Sequence, residues 1–175
     1  MIDFRNYLEY AEKYLNMAVN QKDNHDINWL LFPATILSWS AIECFVNNML
    51  DDFSNLPSNL FSLHERSLLL EKKIIFIDEG KDAGKFVLKG KEYKRLDQKI
   101  LFLIWKFSPE KKFKLREDSL WNKFVTFKNA RDKIVHPSRS KSIILNIENV
   151  YEFRETSIAI IKLIAEKVWK TKIAI

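Results

Sequence analysis

Phe32-Pro33-Ala34-Thr35-Ile36-Leu37-Ser38-Trp39-Ser40-Ala41-Ile42-Glu43-Cys44-Phe45-Val46-Asn47-Asn48-Met49-Leu50-Asp51-Asp52 decides the fold class. Proline suits a first helical turn, so the stretch predicts a helix opening at Phe32 or Pro33 and lasting to about Asp52. Ile36, Leu37, Ala41, Ile42, Phe45, Val46, Met49 and Leu50 lie nearly all round that helix, the pattern of an element surrounded by others. Glu43 is the single charge between Asp26 and Asp51, and with Ser40 and Asn47 it forms a narrow polar stripe at spacings of three and four.

Outward from this centre the chain continues to read as helices. Phe4, Tyr7, Leu8, Ala11, Tyr14, Leu15 and Ala18 recur at helical spacing behind Asp3, a candidate N-cap. Ser62-Leu63-His64-Glu65 reads as a capping box for a helix expected to reach about Glu79. Leu96 to Phe107 predicts another helix, ended by Ser108-Pro109. Asp118 or Ser119 caps the next, which Pro137 stops after Val135. The last runs from near Asn146 to about Lys170. The three glycines, Gly80, Gly84 and Gly90, are about a quarter of average usage and fall within eleven residues. That scarcity excludes hairpin-rich β folds and glycine-rich phosphate cradles. The expectation is an all-α, up-and-down bundle of five to six helices in a single domain over residues 1–175. A basic loop or small hairpin is inserted near 80–95, where Phe86-Val87-Leu88 and Glu92-Tyr93 flank Lys89-Gly90.

The 175 residues carry 29 Lys+Arg against 23 Asp+Glu, a net charge of +6. The charge is divided, at −5 over residues 1–70 and +11 over residues 71–175. Such a basic C-terminal half is either a solvated face or a field for a polyanion such as RNA. Cys44, the only cysteine, excludes a disulfide framework and a cysteine-built zinc site, and it fits a reducing compartment. Neither a signal peptide nor a membrane span is expected. The longest uncharged run, Ile27 to Ile42, is short and interrupted by polar residues. The protein therefore reads as cytoplasmic, with no dense cluster of metal ligands and no cofactor. The tryptophans recur at helical spacing and read as core.

Leu120, Phe124, Phe127, Arg131 and Ile134 fall on one stripe of the helix after Asp118, so Arg131 stands among core-facing positions. A guanidinium there must be paired or line a cleft, and Glu43 is the matching charge on the central helix. Alone, the pair is equally a structural staple. His136 follows five residues after Arg131, about 140° away on an ideal helix, but Pro137 pushes its backbone out of helical geometry and lets the ring swing back. A cation and an imidazole at one helix end suit phosphoryl chemistry; the imidazole equally suits a helix C-cap.

Phe127-Lys128-Asn129-Ala130-Arg131-Asp132-Lys133-Ile134-Val135-His136-Pro137 resembles the signature of the HEPN superfamily, an Arg, a polar residue, a short spacer and a His. Ser40-Ala41-Ile42-Glu43 followed by Asn47 resembles the acidic motif of its second bundle helix. The resemblance implies a helical bundle, commonly a homodimer with the motifs facing across the interface. It also implies a metal-independent endoribonuclease of toxin–antitoxin or antiphage type. On that reading Arg131, His136, Asp132 and Glu43 are catalytic. Lys128, Lys133 and Arg139 bind RNA, Ser40 and Asn47 support the site, and an antitoxin protein is a partner. The alternative is a non-catalytic helical module that binds a nucleotide, RNA or a protein.

Overall fold

A computed structural model describes residues 3–21, 27–108, 115–136 and 145–175. Its described residues form a mostly α, bundle-like fold of six α-helices and one two-stranded sheet. In chain order these are α1 (Phe4–Val19), α2 (Asn28–Ser54), α3 (Leu63–Leu69), β1 (Lys72–Phe76), β2 (Phe86–Lys91), α4 (Leu96–Phe107), α5 (Ser119–Val135) and α6 (Ile147–Trp169). Short 3₁₀ turns occupy Ser58–Leu60 and Leu115–Glu117. The chain divides into two compact units, Met1–Phe45 with Phe107–Ile175, and Val46–Lys106, with α2 running from the first into the second.

The first unit is built from α1, the leading part of α2, α5 and α6. Asp3 caps α1 in a reciprocal box with Asn6, which satisfies backbone donors that the helix itself cannot. The inward stripe of α1 is Phe4, Leu8, Ala11, Leu15 and Ala18, all buried. Aromatic side chains fill the middle. Trp39 stacks on Phe124 at 5.4 Å and meets Phe127 edge-on, and Phe127 stacks on Phe153 of α6 at 4.8 Å. Phe45 is edge-on to Phe4 and to Trp169. Such pairs add about 0.5–1.5 kcal/mol each beyond their buried area. The polar groups inside α2 satisfy themselves locally: Thr35 Oγ1 donates to the Leu31 carbonyl and Ser38 Oγ to that of Ala34, both at 2.8 Å.

Helix α2 departs from expectation at its start. It opens at Asn28, with Ile27 O accepting from the N–H groups of Leu30 and Leu31, so Pro33 lies inside the helix near its first turn. This lengthening gives 27 residues, and by length and composition α2 is long and apolar enough to cross a membrane, at mean hydropathy 1.5. Of that most apolar stretch, 56% is buried within the protein, including Ala34, Trp39, Ile42 and Phe45. Not every tryptophan is core. Trp39 and Trp121 are buried, whereas Trp29, Trp105 and Trp169 are exposed.

The second unit corrects the sequence reading most. The capping box at Ser62 and Glu65 forms, but α3 ends at Leu69 instead of reaching Glu79. Glu71 then takes a left-handed backbone, φ 48°, and the chain enters β1. Lys72-Lys73-Ile74-Ile75-Phe76 carries the β-branched and aromatic residues that favour a pleated strand. Its partner is Phe86–Lys91, so the hairpin is larger than the one expected around Lys89-Gly90, and Glu92-Tyr93 lies beyond it. Gly90, at φ 70°, is the extra residue between the pairs Lys72↔Lys91 and Lys73↔Lys89, a bulge whose backbone suits glycine. Behind the hairpin Lys99 of α4 is buried; its Nζ meets Glu71 Oε1 at 2.7 Å and donates to Asn47 Oδ1 at 2.9 Å.

Candidate functional site

Helix α5 starts at Asp118, whose carboxylate accepts the Leu120 N–H, and ends at His136. Its face toward α6 and α2 is set by Trp121, Phe124, Phe127 and Ala130, all buried. One position further along, Arg131 emerges from that stripe only partly covered, its side chain 25% exposed. The guanidinium carbon lies 5.6 Å from the Trp39 ring centroid, within cation–π range. Trp39 in turn donates its Nε1–H to Glu43 Oε1 at 2.7 Å. One indole thus holds the carboxylate with its edge and supports the guanidinium with its face.

Glu43 and Arg131 do come together, but loosely. Arg131 Nη2 lies 3.9 Å from Glu43 Oε1, beyond hydrogen-bond distance, and the Glu43 side chain is 40% exposed. The tighter contact of Arg131 is with its chain neighbour, Nη1 donating to Asp132 Oδ1 at 3.2 Å. Lys128 Nζ sits 3.9 Å from the other Asp132 oxygen. The Nε of Arg131 is buried and has no hydrogen-bond partner among the described residues. A guanidinium carries five N–H donors, so most of this fork is uncommitted to acceptors among the described residues. Because the pair is long and partly exposed, it is not the buried staple that helix spacing alone would suggest. A double-mutant cycle of Glu43→Gln and Arg131→Met is expected to give a coupling below about 1 kcal/mol in urea unfolding. A value near 3 kcal/mol would mean that the two close into a desolvated pair.

His136 is the C-cap of α5, with φ −122° and ψ 66°, so its backbone leaves the helix as the following proline requires. Its N–H donates to the Asp132 carbonyl at 2.9 Å, and the residue is exposed. Among the described residues its imidazole makes no hydrogen bond, to Arg131, Asp132 or any other group. The Asp132 carboxylate is turned to Arg131 and not to the imidazole. Lys133 is exposed and Lys128 half-buried on the same helix. Arg139, like Pro137, lies outside the described residues.

The supporting residues separate. Ser40 is half-buried one turn before Glu43. Asn47 is exposed, and its amide oxygen is taken by Lys99 in the second unit, so the polar stripe of α2 serves two different settings. Trp39, which sequence reading treated as core filling, is the residue that touches both Glu43 and Arg131. Its spacing of four from Glu43 was the available signal, since residues at i and i+4 share a helix face.

Fold and side chains together define a mostly helical protein in which Arg131, near the end of α5, lies close to the carboxylates of Glu43 and Asp132, and the exposed His136 closes the same helix. No family model, curated protein or solved structure matches this chain.

Proposed function

We propose that the chain is a metal-independent, HEPN-like endoribonuclease of toxin or antiphage-defence type, working on RNA in the cytoplasm as a homodimer. The observation that carries this reading is the largely uncommitted fork of Arg131, seated on Trp39 at the same helix end as an exposed imidazole. Arg131 binds the scissile phosphate and meets the charge that develops on it. His136 takes the proton from the ribose 2′-hydroxyl or returns one to the leaving oxygen. The nucleophile already stands beside the phosphorus, so proton movement and charge stabilisation suffice. Asp132 accepts a hydrogen bond from the guanidinium, Glu43 adds a nearby negative charge, and Lys128, Lys133 and Arg139 add positive charge for the RNA backbone. The dimer brings two such sets to one cleft, and an antitoxin protein would cover it.

Purified protein incubated with total RNA should leave fragments ending in a 2′,3′-cyclic phosphate, with 5′-hydroxyl partners, and excess EDTA should not stop it. A deoxyribose placed 5′ of the cut should block that cut. Equal cleavage of DNA, or silence in EDTA, would overturn the mechanism. Light scattering at micromolar protein checks the dimer; monomer alone with undiminished cleavage removes the composite cleft. The second reading, a non-catalytic module for a nucleotide, RNA or protein, is favoured by one observation, that the His136 ring is engaged with neither Arg131 nor Asp132. Intact RNA after long incubation would select it.

A further inference from the structure

The hairpin β1–β2 presents its side chains in an order that a two-stranded ribbon does not need for its own stability. Lys73 stands directly opposite Lys89, and Lys72 opposite Lys91, so like charges face each other on successive rungs. Such pairs are destabilising across an antiparallel ladder. Lys91 has Glu71 nearby, but among the described residues Lys72, Lys73 and Lys89 form no ion pair with a carboxylate. Three rungs further, Phe76 faces Phe86 with ring centroids 5.2 Å apart, and the two residues are 52% and 60% exposed. Alternation along a strand puts Phe76, Ile74 and Lys72 on one face with their partners Phe86, Leu88 and Lys91, and Lys73 and Lys89 on the other. Ile74 there lines a groove of about 570 Å³ with Ser67, Leu68, Leu101 and the ion-paired Glu92 and Lys94.

We propose that this face of the hairpin is a binding site for single-stranded RNA, with the Phe76–Phe86 pair stacking on bases and Lys72 and Lys91, on the same face, lying along the phosphates. Charge complementarity favours a polyanion over a second copy of the chain, because two copies would bring the lysines of the Lys72–Lys91 rung against their own copies. Exposed rings beside them favour a strand with unpaired bases over duplex, whose bases are already stacked. That the strand is RNA rests on the ribonuclease reading; that it is single-stranded nucleic acid does not.

The test is fluorescence anisotropy with a labelled single-stranded RNA of about 20 nucleotides, using the full chain carrying His136→Ala so that the probe stays whole. Adding Phe76→Ala and Phe86→Ala should weaken binding at least about tenfold. Phe76→Leu with Phe86→Leu, which keeps apolar bulk, should weaken it similarly. Lys72 and Lys91 changed together to Gln should flatten the plot of log affinity against log salt by about 1.4, at about 0.7 per lost phosphate contact. Circular dichroism confirms that each variant is folded. Affinity unchanged within about twofold in the folded variants would overturn the site. Loss of self-association in the Ala pair with unchanged RNA affinity would also overturn it, making the face an interface between copies. Equal affinity for single-stranded DNA, with the same loss in the variants, would overturn the RNA assignment. Hairpin-dependent binding by a wild-type protein that never cuts RNA would support this site while refuting the ribonuclease reading.

Discussion

His136→Ala is expected to lower RNA cleavage by about 10²–10⁴-fold, the range spanned by a positioned acid or base. Stability should hardly move, within about 0.5 kcal/mol. The reason for the second half is geometric. His136 is exposed, and the bond that ends α5 runs from its backbone N–H to the Asp132 carbonyl, which alanine keeps. Arg131→Lys is the companion experiment. Lysine retains the positive charge but not the planar fork, so a phosphate-binding role predicts a loss of about 10²–10³-fold. Cleavage assayed beside urea unfolding separates chemistry from folding. If His136→Ala leaves cleavage within about twofold, the imidazole is a helix end and nothing more.

Much of the first unit could be read from the chain because its signals are local. Asp3, Asp118 and Asn146 are short polar residues just ahead of periodic apolar runs, and each caps a helix where expected. The end of α3 was not legible. Leu68-Leu69-Leu70 leads into Ile74-Ile75-Phe76 without a glycine or proline, and the break falls at Glu71, whose left-handed backbone no rule of composition foretells. The β-branched pair Ile74-Ile75 was the one cue for a strand.

The site divides along the same line. Arg131, Asp132, Glu43 and His136 could be picked out because charge on an apolar stripe, or beside a proline, is conspicuous in one dimension. How tightly they pair is a matter of where helix axes sit, and helical spacing says nothing of a contact at 3.9 Å. Trp39 illustrates the harder case, since an indole can fill a core and still direct a carboxylate with its single N–H. Asn47 shares the polar stripe with Glu43, yet its partner Lys99 lies 52 residues away in sequence.

That partnership, with the Lys99–Glu71 ion pair beside it, should be a costly polar interaction to break. Lys99→Met is expected to destabilise the protein by about 2–3 kcal/mol, below the 3–5 of a fully buried pair because the Glu71 side chain is 33% exposed. Methionine keeps the length and apolar stem, so the loss reports the half-buried Glu71 carboxylate left without its counter-charge and the lost bond to Asn47. Adding Glu71→Gln should recover part of it, because an amide needs no counter-charge. The effect also carries a pH signature. Burial pushes the Glu71 carboxyl up, but the Lys99 Nζ and the Lys94 N–H outweigh it and leave the group below the usual glutamate range. A depressed folded value means the stabilisation is complete above the unfolded pKa of about 4.3 and is lost as pH falls through the folded one. The gap in unfolding free energy between wild type and Lys99→Met should therefore be full at pH 7 and shrink once Glu71 is protonated in both states. A gap unchanged far into acid would mean that the cost is packing around the lysine stem and not the ion pair.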